Sequence, residues 1–118
     1  MNVNSFKHAC KLLNIPATIP DYSHLPKHLK ESFEADYQLK IIIEAQNEGH
    51  VFDWENYEED KWNVVMNMSA AGGPAFDYSA YGSAYSGCGS RLSLRTKADS
   101  DYVGTKFSKL YAKAFKAK

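Results

Sequence analysis

Cysteine is scarce in this chain of 118 residues. Only Cys10 and Cys88 are present, far apart in sequence and without a C-x-x-C pattern. Small secreted domains that depend on disulfides carry more cysteines at closer spacing. We therefore expect no disulfide framework and a reduced, intracellular setting.

Long apolar runs are absent as well. The longest, "IIIEA" at 41–45, falls far short of the roughly 20 residues that a membrane-spanning helix needs. The N-terminal stretch "MNVNSFKHACKLLNI" lacks the charged start and the following apolar segment of a secretory signal. We expect a soluble protein that has no membrane partner.

The chain has no excess of charge, because 14 lysines and arginines balance 14 aspartates and glutamates. As a whole it is therefore no electrostatic trap for nucleic acid or anionic lipid. The charges are unevenly distributed, however. No lysine or arginine interrupts the carboxylates between Glu44 and Asp60, whereas the last 28 residues carry eight basic side chains and two acidic ones. The acidic stretch is typical of a solvated surface, so the basic part is the stronger functional signal.

Motifs that carry reaction chemistry are missing. Neither "GGP" at 72–74 nor "GCG" at 87–89 precedes a helix with a lysine at the spacing of a phosphate loop. "YSGCGS" likewise lacks the strand–turn–helix context of a nucleophile elbow. His24 and His28 are four residues apart, but no third ligand is spaced to complete a metal site. We predict no catalytic residue, no metal, no cofactor and no enzymatic activity.

Hydrophobic periodicity predicts one α+β domain that spans residues 1–118. Helical spacing and capping residues predict three helices: the first from Asn4 or Ser5 through Leu13, the second from a start near Ser23 to Pro26 and ending at about Asn47, and the third from Thr96 towards the C-terminus. Alternation predicts strands at 62–69, 75–81 and 90–96. Their connections are too short for parallel crossovers. The order α-α-β-β-β-α therefore indicates a three-stranded antiparallel meander with two to three helices packed on one face.

Two local features refine this architecture. Pro16 and Pro20 interrupt regular structure, so residues 1–24 form an N-terminal helix and linker that we predict to be loosely attached. Gly104 costs about 1 kcal/mol relative to alanine inside a helix, which predicts a neighbouring backbone that crosses closely. The central helix carries a predicted apolar face that contains these residues: Leu29, Phe33, Tyr37, Leu39, Ile41, Ile42, Ile43 and Ala45.

The first candidate binding region, the tyrosine stretch, is the loop from 76 to 88, which lies within a tyrosine-, serine- and glycine-rich part of the sequence at 75–94. Tyr78, Tyr81 and Tyr85 are separated by small residues, a composition typical of recognition loops. The alternative interpretation is a long hairpin connection whose tyrosines fold back over the sheet as a lid. Neither interpretation involves reaction chemistry.

The second candidate region is basic. Arg91 and Arg95 are predicted on the sheet face opposite the core, and Lys106, Lys109 and Lys113 lie on one flank of the last helix. If these side chains form one patch, a phosphate backbone is a natural partner. Lysines also end many helices because they improve solubility and complement the helix dipole.

Three blocks of the sequence resemble a family of small proteins encoded by phages and mobile elements of gut Bacteroidetes. The blocks are "ADYQLKIIIEAQNEGHVFDW", "KWNVVMNMS" and "GSRLSLRTKADSDYVGTKFSKLY". The resemblance implies a phage-associated protein of the host cytoplasm or the virion, and it brings no established activity. Phe52 stands where the family usually has proline. Ser93 stands where the family often has cysteine, and this second departure weakens any chemical role for a thiol at that position.

These observations lead to three functional hypotheses. The first is a non-enzymatic module that binds a protein partner through the tyrosine stretch and the adjoining sheet face. The second is a nucleic-acid accessory protein that uses the basic C-terminal region. The third is a virion or assembly component.

Overall fold

A computed structural model describes residues 1–56, 58–82 and 92–116. Within these ranges the chain has an α+β fold, as the periodicity predicts, with four helices and one two-stranded antiparallel sheet. The helices are α1 (Phe6–Leu13), α2 (Lys27–Gln46), α3 (Lys97–Lys106) and α4 (Ser108–Phe115), and the strands are β1 (Lys61–Asn67) and β2 (Ala75–Gly82).

The predicted three-stranded meander is wrong. β1 pairs with β2 in a register that places Trp62 opposite Tyr81 and Val65 opposite Tyr78, with an irregularity between Val65 and Met66. Of the predicted third strand, residues 90 and 91 lie outside the described residues. The rest contributes a single antiparallel bridge, in which Leu94 exchanges two backbone hydrogen bonds with Trp62, of 2.9 and 2.7 Å.

The side chain that caps the end of α2 explains why this third strand stays so short. Asn47 donates its amide to the Ser93 carbonyl at 3.0 Å and accepts a hydrogen bond from the Arg95 amide at 3.0 Å. These backbone groups point away from β1, so the Asn47 carboxamide occupies the position of a further strand. The extended stretch then ends at Thr96, whose hydroxyl caps α3 by accepting from the Asp99 amide at 3.0 Å.

The predicted helix starts are confirmed at two caps. Ser5 caps α1 by accepting a hydrogen bond from the His8 amide at 3.0 Å. Thr96 caps α3 as the sequence predicts. The Asp99 carboxylate, however, accepts hydrogen bonds from Gln46 and Arg95, so it does not complete a reciprocal capping box. Local capping thus sets the starts of α1 and α3, and tertiary contacts engage the Asp99 carboxylate.

The predicted single terminal helix is two helices that meet at Phe107, which leaves helical geometry at φ −112° and ψ 28°. The two halves have different partners, because α3 packs mainly on both strands whereas α4 packs mainly on α2. α2 in turn packs against α1 and α4 rather than covering the sheet. The sheet therefore packs mainly on α3, whereas α1, α2 and α4 pack mainly on one another.

The apolar face of α2 is buried only in its second half. Leu39, Ile42 and Ile43 are fully buried, but Leu29 and Phe33 are 39% and 48% exposed. A helix of 20 residues is about 30 Å long, whereas α1 and α4 each have 8 residues. These short helices leave the Leu29 and Phe33 side of α2 uncovered, although α4 still packs against the N-terminal half of the helix.

The N-terminal segment contacts both α2 and α3. Val3 is fully buried; its amide donates to the Gln46 side chain at 2.9 Å, and its carbonyl accepts from the Tyr102 hydroxyl at 2.7 Å. The Phe6 and Tyr37 rings pack with centroids 6.2 Å apart. These contacts describe how the segment docks, while the loose attachment of residues 1–24 stays a prediction.

Gly104 lies where α3 approaches the sheet most closely. A Cβ at this position would come within 2.4 Å of the Phe76 ring and 3.1 Å of a Val64 methyl group. The neighbour that excludes a side chain is thus an aromatic ring of β2 rather than a crossing backbone, which corrects the expectation from sequence. Gly104 therefore sets the distance between α3 and the sheet.

We predict that Gly104→Ala destabilises the protein although alanine is the better helix former. The helix gains about 1 kcal/mol, but overpacking against Phe76 costs about 3 kcal/mol, so the net loss is about 2 kcal/mol. Urea denaturation followed by circular dichroism measures the change. Gly72→Ala is the control, since no heavy atom lies within 4 Å of its added Cβ. A Gly104→Ala variant as stable as the parent would show that the ring moves aside freely.

Cys10 offers a test of how firmly the N-terminal segment is held. The residue is 1% exposed, and burial raises the pKa of its thiol. In a Cys88→Ser variant, alkylation of Cys10 should be at least about a hundredfold slower than in the urea-unfolded chain, because α1 must first undock. Equal alkylation rates in the folded and unfolded chain would establish the loose attachment instead.

Candidate functional site

The outer edge of β2 carries unpaired backbone groups. Because Trp62 exchanges both its backbone hydrogen bonds with Leu94, the opposing Tyr81 directs its own amide and carbonyl away from β1. Ser79, two residues earlier, has the same orientation. Within the described ranges, no backbone group of 75–82 hydrogen-bonds outside the β1–β2 pair. We call the outward amides and carbonyls of Ser79 and Tyr81 the β2 edge.

The candidate tyrosines do not form one surface. Tyr78 is opposite Val65 and Tyr81 is opposite Trp62, so their side chains lie on opposite faces of the sheet. Both rings are solvent-accessible, with 54% and 66% exposure. The Tyr81 ring lies 5.1 Å from that of Trp62. Tyr85 lies outside the described residues, so its position stays a prediction.

A hydrogen-bonded tie anchors β2 to α3. The Ser79 hydroxyl bonds to the Ser100 hydroxyl and to the Asp101 carboxylate, each at 2.7 Å. Hydrogen bonds from Lys97 and then from Ser79 lower the pKa of Asp101. A carboxylate with a lowered pKa is a weak general base. The arrangement therefore suits the positioning of β2 rather than the activation of Ser79 as a nucleophile.

Arg95 is held in an ionic cluster between α2 and α3. Its guanidinium bonds to Asp99 through Nε at 3.0 Å and forms a short contact to Glu48. Glu48 also binds the N-terminal ammonium of Met1 at 3.2 Å. The Asp99 and Glu48 hydrogen bonds raise the pKa of Arg95, while those from Arg95 and the N-terminus lower the pKa of Glu48. Arg91 lies outside the described residues, so its predicted place beside Arg95 stays a prediction.

The predicted lysine flank divides. Lys109 and Lys113 line an open groove of about 570 Å³ between α4, the β1–β2 turn and the start of α2. Lys106 is exposed at the end of α3 and does not line the groove. We call this groove the lysine groove, and the residues that define it are His28, Glu31, Gly72, Lys109, Lys113 and Lys116.

Arg95 and the lysine groove lie at opposite ends of α2. Arg95 binds Asn47 and Glu48, which directly follow the helix, whereas His28 and Glu31 belong to its first two turns. A helix of 20 residues separates these ends by roughly 30 Å. The structure therefore separates Arg95 from Lys109 and Lys113, which the sequence analysis considered as parts of one patch.

Lys61 is a buried cation that the sequence analysis missed. Its ammonium donates to the Asp53 carbonyl at 2.6 Å and the Asn56 carbonyl at 3.2 Å, and it lies 3.2 Å from the Glu59 carboxylate. Burial by itself raises the pKa of Glu59. Hydrogen bonds from the Asp53 amide and Lys61 outweigh burial, so the pKa of Glu59 lies below its ordinary value. Lys61 thus folds part of the acidic connection around its charge. The only signal in the sequence was its place directly after that acidic run.

Other kinds of site are not found in the part of the chain that the structure describes. No group of three or more histidine, cysteine, aspartate or glutamate side chains there could hold a metal ion. Nor does any helix in the described ranges have both the length and the apolar content needed to cross a bilayer. Two surfaces of the described chain carry the sequence-predicted candidate residues in an exposed position, namely the β2 edge with its two tyrosines and the lysine groove.

Comparison with known proteins identifies no relative of the chain. No protein-family model matches it, and neither curated proteins nor solved structures provide a significant match. Any functional conclusion consequently depends on the geometry of these two surfaces.

The Asp101 carboxylate, whose pKa is lowered by hydrogen bonds from Lys97 and then from Ser79, should make stability depend on pH. Because the folded pKa of Asp101 lies below its ordinary value of 3.8, its contribution is present above that pH and is lost as pH falls through the folded value. Asp101→Asn should therefore be less stable than the parent near neutral pH and equally stable in strong acid. Urea denaturation across this pH range measures the difference. A difference in the free energy of unfolding that persists unchanged in acid would contradict this role of the Asp101 carboxylate. Ser79→Ala should lose part of the same pH-dependent stability.

Proposed function

We propose that this chain is a non-enzymatic interaction module that accepts an extended segment of a protein partner along the β2 edge. The observation that carries the proposal is the orientation of Ser79 and Tyr81, whose backbone groups point outward without a partner among the described residues. An added strand would satisfy these groups, as in other complexes formed by strand addition.

The sheet itself supports this proposal. A two-stranded sheet is marginal, and a third strand stabilises it. Proteins usually block exposed edges with lysine, proline or a bulge. β2 contains neither lysine nor proline, and its irregularity lies near Phe76, at the end away from Tyr81. The stretch from 78 to 82 therefore remains regular and accessible.

The two tyrosines support a role in partner selection. Side chains of an added strand alternate between the two faces of the sheet, so they would meet Tyr78 on one face and Tyr81 on the other. Tyr78 borders the half-buried Val65, and Tyr81 borders Trp62. Backbone pairing would supply affinity, while the aromatic neighbours would supply preference for certain side chains.

The proposed setting is a phage or mobile element that acts in the cytoplasm of a bacterial host. It depends on the three sequence blocks that resemble the phage-encoded family. These blocks include core residues such as Leu39, Val64, Leu94 and Val103, so they support a shared fold more directly than a shared site. A virion component is the competing possibility, and purified particles that contain the protein would identify it.

Tyr81→Pro tests strand addition directly. Proline removes the outward amide at 81, whereas the adjacent Ala80 keeps its hydrogen bonds to β1. A lost backbone hydrogen bond should weaken partner binding by about 1 to 3 kcal/mol, which is about 5-fold to about 150-fold. Quantitative mass spectrometry of proteins cross-linked to the chain in host lysate measures how much of the partner is recovered. Hydrogen exchange should show that the Ser79 and Tyr81 amides become protected when the partner binds.

Matched variants separate the backbone from the side chains. Tyr81→Ala removes the ring but keeps the amide, so its loss of binding should be smaller than that of Tyr81→Pro. Lys7→Gln, on the exposed side of α1, should recover the same protein as the parent. Indistinguishable recoveries for all variants would count against the proposal. A self-association that Tyr81→Pro abolishes would show that the partner is a second copy of the chain.

A further inference from the structure

The lysine groove is the second surface that is built for recognition, and it is independent of the β2 edge. Lys109, Lys113 and Lys116 line one side of it, and they follow one another at spacings of four and three residues on and just after α4. His28 and Glu31 line the opposite side, on α2. Three lysines therefore stand against one carboxylate in an open groove.

The start of α2 adds to the positive potential. A helix presents unpaired amides and the positive end of its dipole at its N-terminus. α2 begins after Pro26, which forms no side-chain cap, and its first turn contains no acidic residue. This end of a 20-residue helix therefore has no acidic partner in its own first turn, and His28 of that turn lines the groove.

The lysines are not committed to internal ion pairs. Lys40, Lys61 and Lys97 each pair with a carboxylate. By contrast, no ion pair involves Lys109, Lys113 or Lys116 anywhere in residues 1–56, 58–82 and 92–116. All three side chains are exposed, so their charges can meet a ligand without breaking an existing contact.

The spacing of the lysines favours a linear polyanion over a single anion. Lys109 and Lys116 are seven residues apart, which corresponds to roughly 10 Å along a helix. Their ammonium groups act as separate point charges, which suits successive phosphates of a chain. Lysine binds phosphate as a point charge, and the described lining contains lysine but no arginine. We propose that the lysine groove binds the phosphodiester backbone of a nucleic-acid strand without reading its sequence.

Gly72 provides the space for such a strand. Its φ is not in the left-handed region, in contrast to Gly73 at +100°, and an added Cβ would meet no heavy atom within 4 Å. Neither backbone geometry nor packing therefore requires glycine at this position. A side chain at 72 would narrow the groove without disturbing the fold, which makes this residue a steric probe.

Fluorescence anisotropy with a labelled single-stranded oligonucleotide of roughly 12 nucleotides tests the proposal. Three lysine–phosphate contacts predict a slope of log K against log salt of about −2, so that affinity falls about 20-fold between about 50 and about 200 mM salt. Lys113→Gln with Lys116→Gln should reduce the slope to about −0.7. Gly72→Leu should weaken binding with no change in charge.

The matched control is Lys7→Gln with Lys11→Gln, which removes the same charge from α1, outside the groove. This control should bind like the parent. An equal loss of oligonucleotide affinity in both double variants would overturn the proposal, because it would show that binding depends only on net charge. Absence of binding at about 100 µM protein in low salt would also overturn it, since non-specific contacts reach that affinity. Equal binding of polyglutamate of matched length would assign the groove to acidic polypeptides instead.

Discussion

Two adjacent carboxamides at the end of α2 hold the parts of this fold together. Gln46 is fully buried and binds the Val3 amide, the Asn2 side chain and the Asp99 carboxylate. Asn47 is 5% exposed and binds the backbone on either side of Leu94. A buried backbone group without a partner costs about 1 to 3 kcal/mol. These two side chains therefore join the N-terminal segment, the short bridge at Leu94 and the start of α3.

The same junction decides where the surface is available for binding. The Asn47 side chain binds the backbone groups beside Leu94 that point away from β1, so no long unpaired edge is left on this side of the sheet. The opposite flank, formed by β2, keeps the outward backbone groups of Ser79 and Tyr81. Arg95 is drawn into the junction by Glu48 and Asp99. The lysine groove lies at the far end of α2, where α2 has no acidic first turn.

Much of the fold could be predicted from local signals. The caps at Ser5 and Thr96, the span of α2, and the strands β1 and β2 follow from capping residues and periodicity within short windows. The predicted third strand failed because alternation from 90 to 96 is a real local pattern, whereas its pairing depends on Asn47. The break at Phe107 was missed for a similar reason: α3 packs on the sheet and α4 on α2.

The sequence by itself determined the α+β class, the starts of α1 and α3 and the clustering of basic residues near the C-terminus, because each depends on residues within a few positions of one another. Tertiary structure decided which groups are free. The Asn47 contacts span 46 and 48 positions, and the lysine groove joins α2 to α4 across the turn at 72–74. Periodicity carries no information at such separations, since it reports which face of an element is apolar and not which element will cover it.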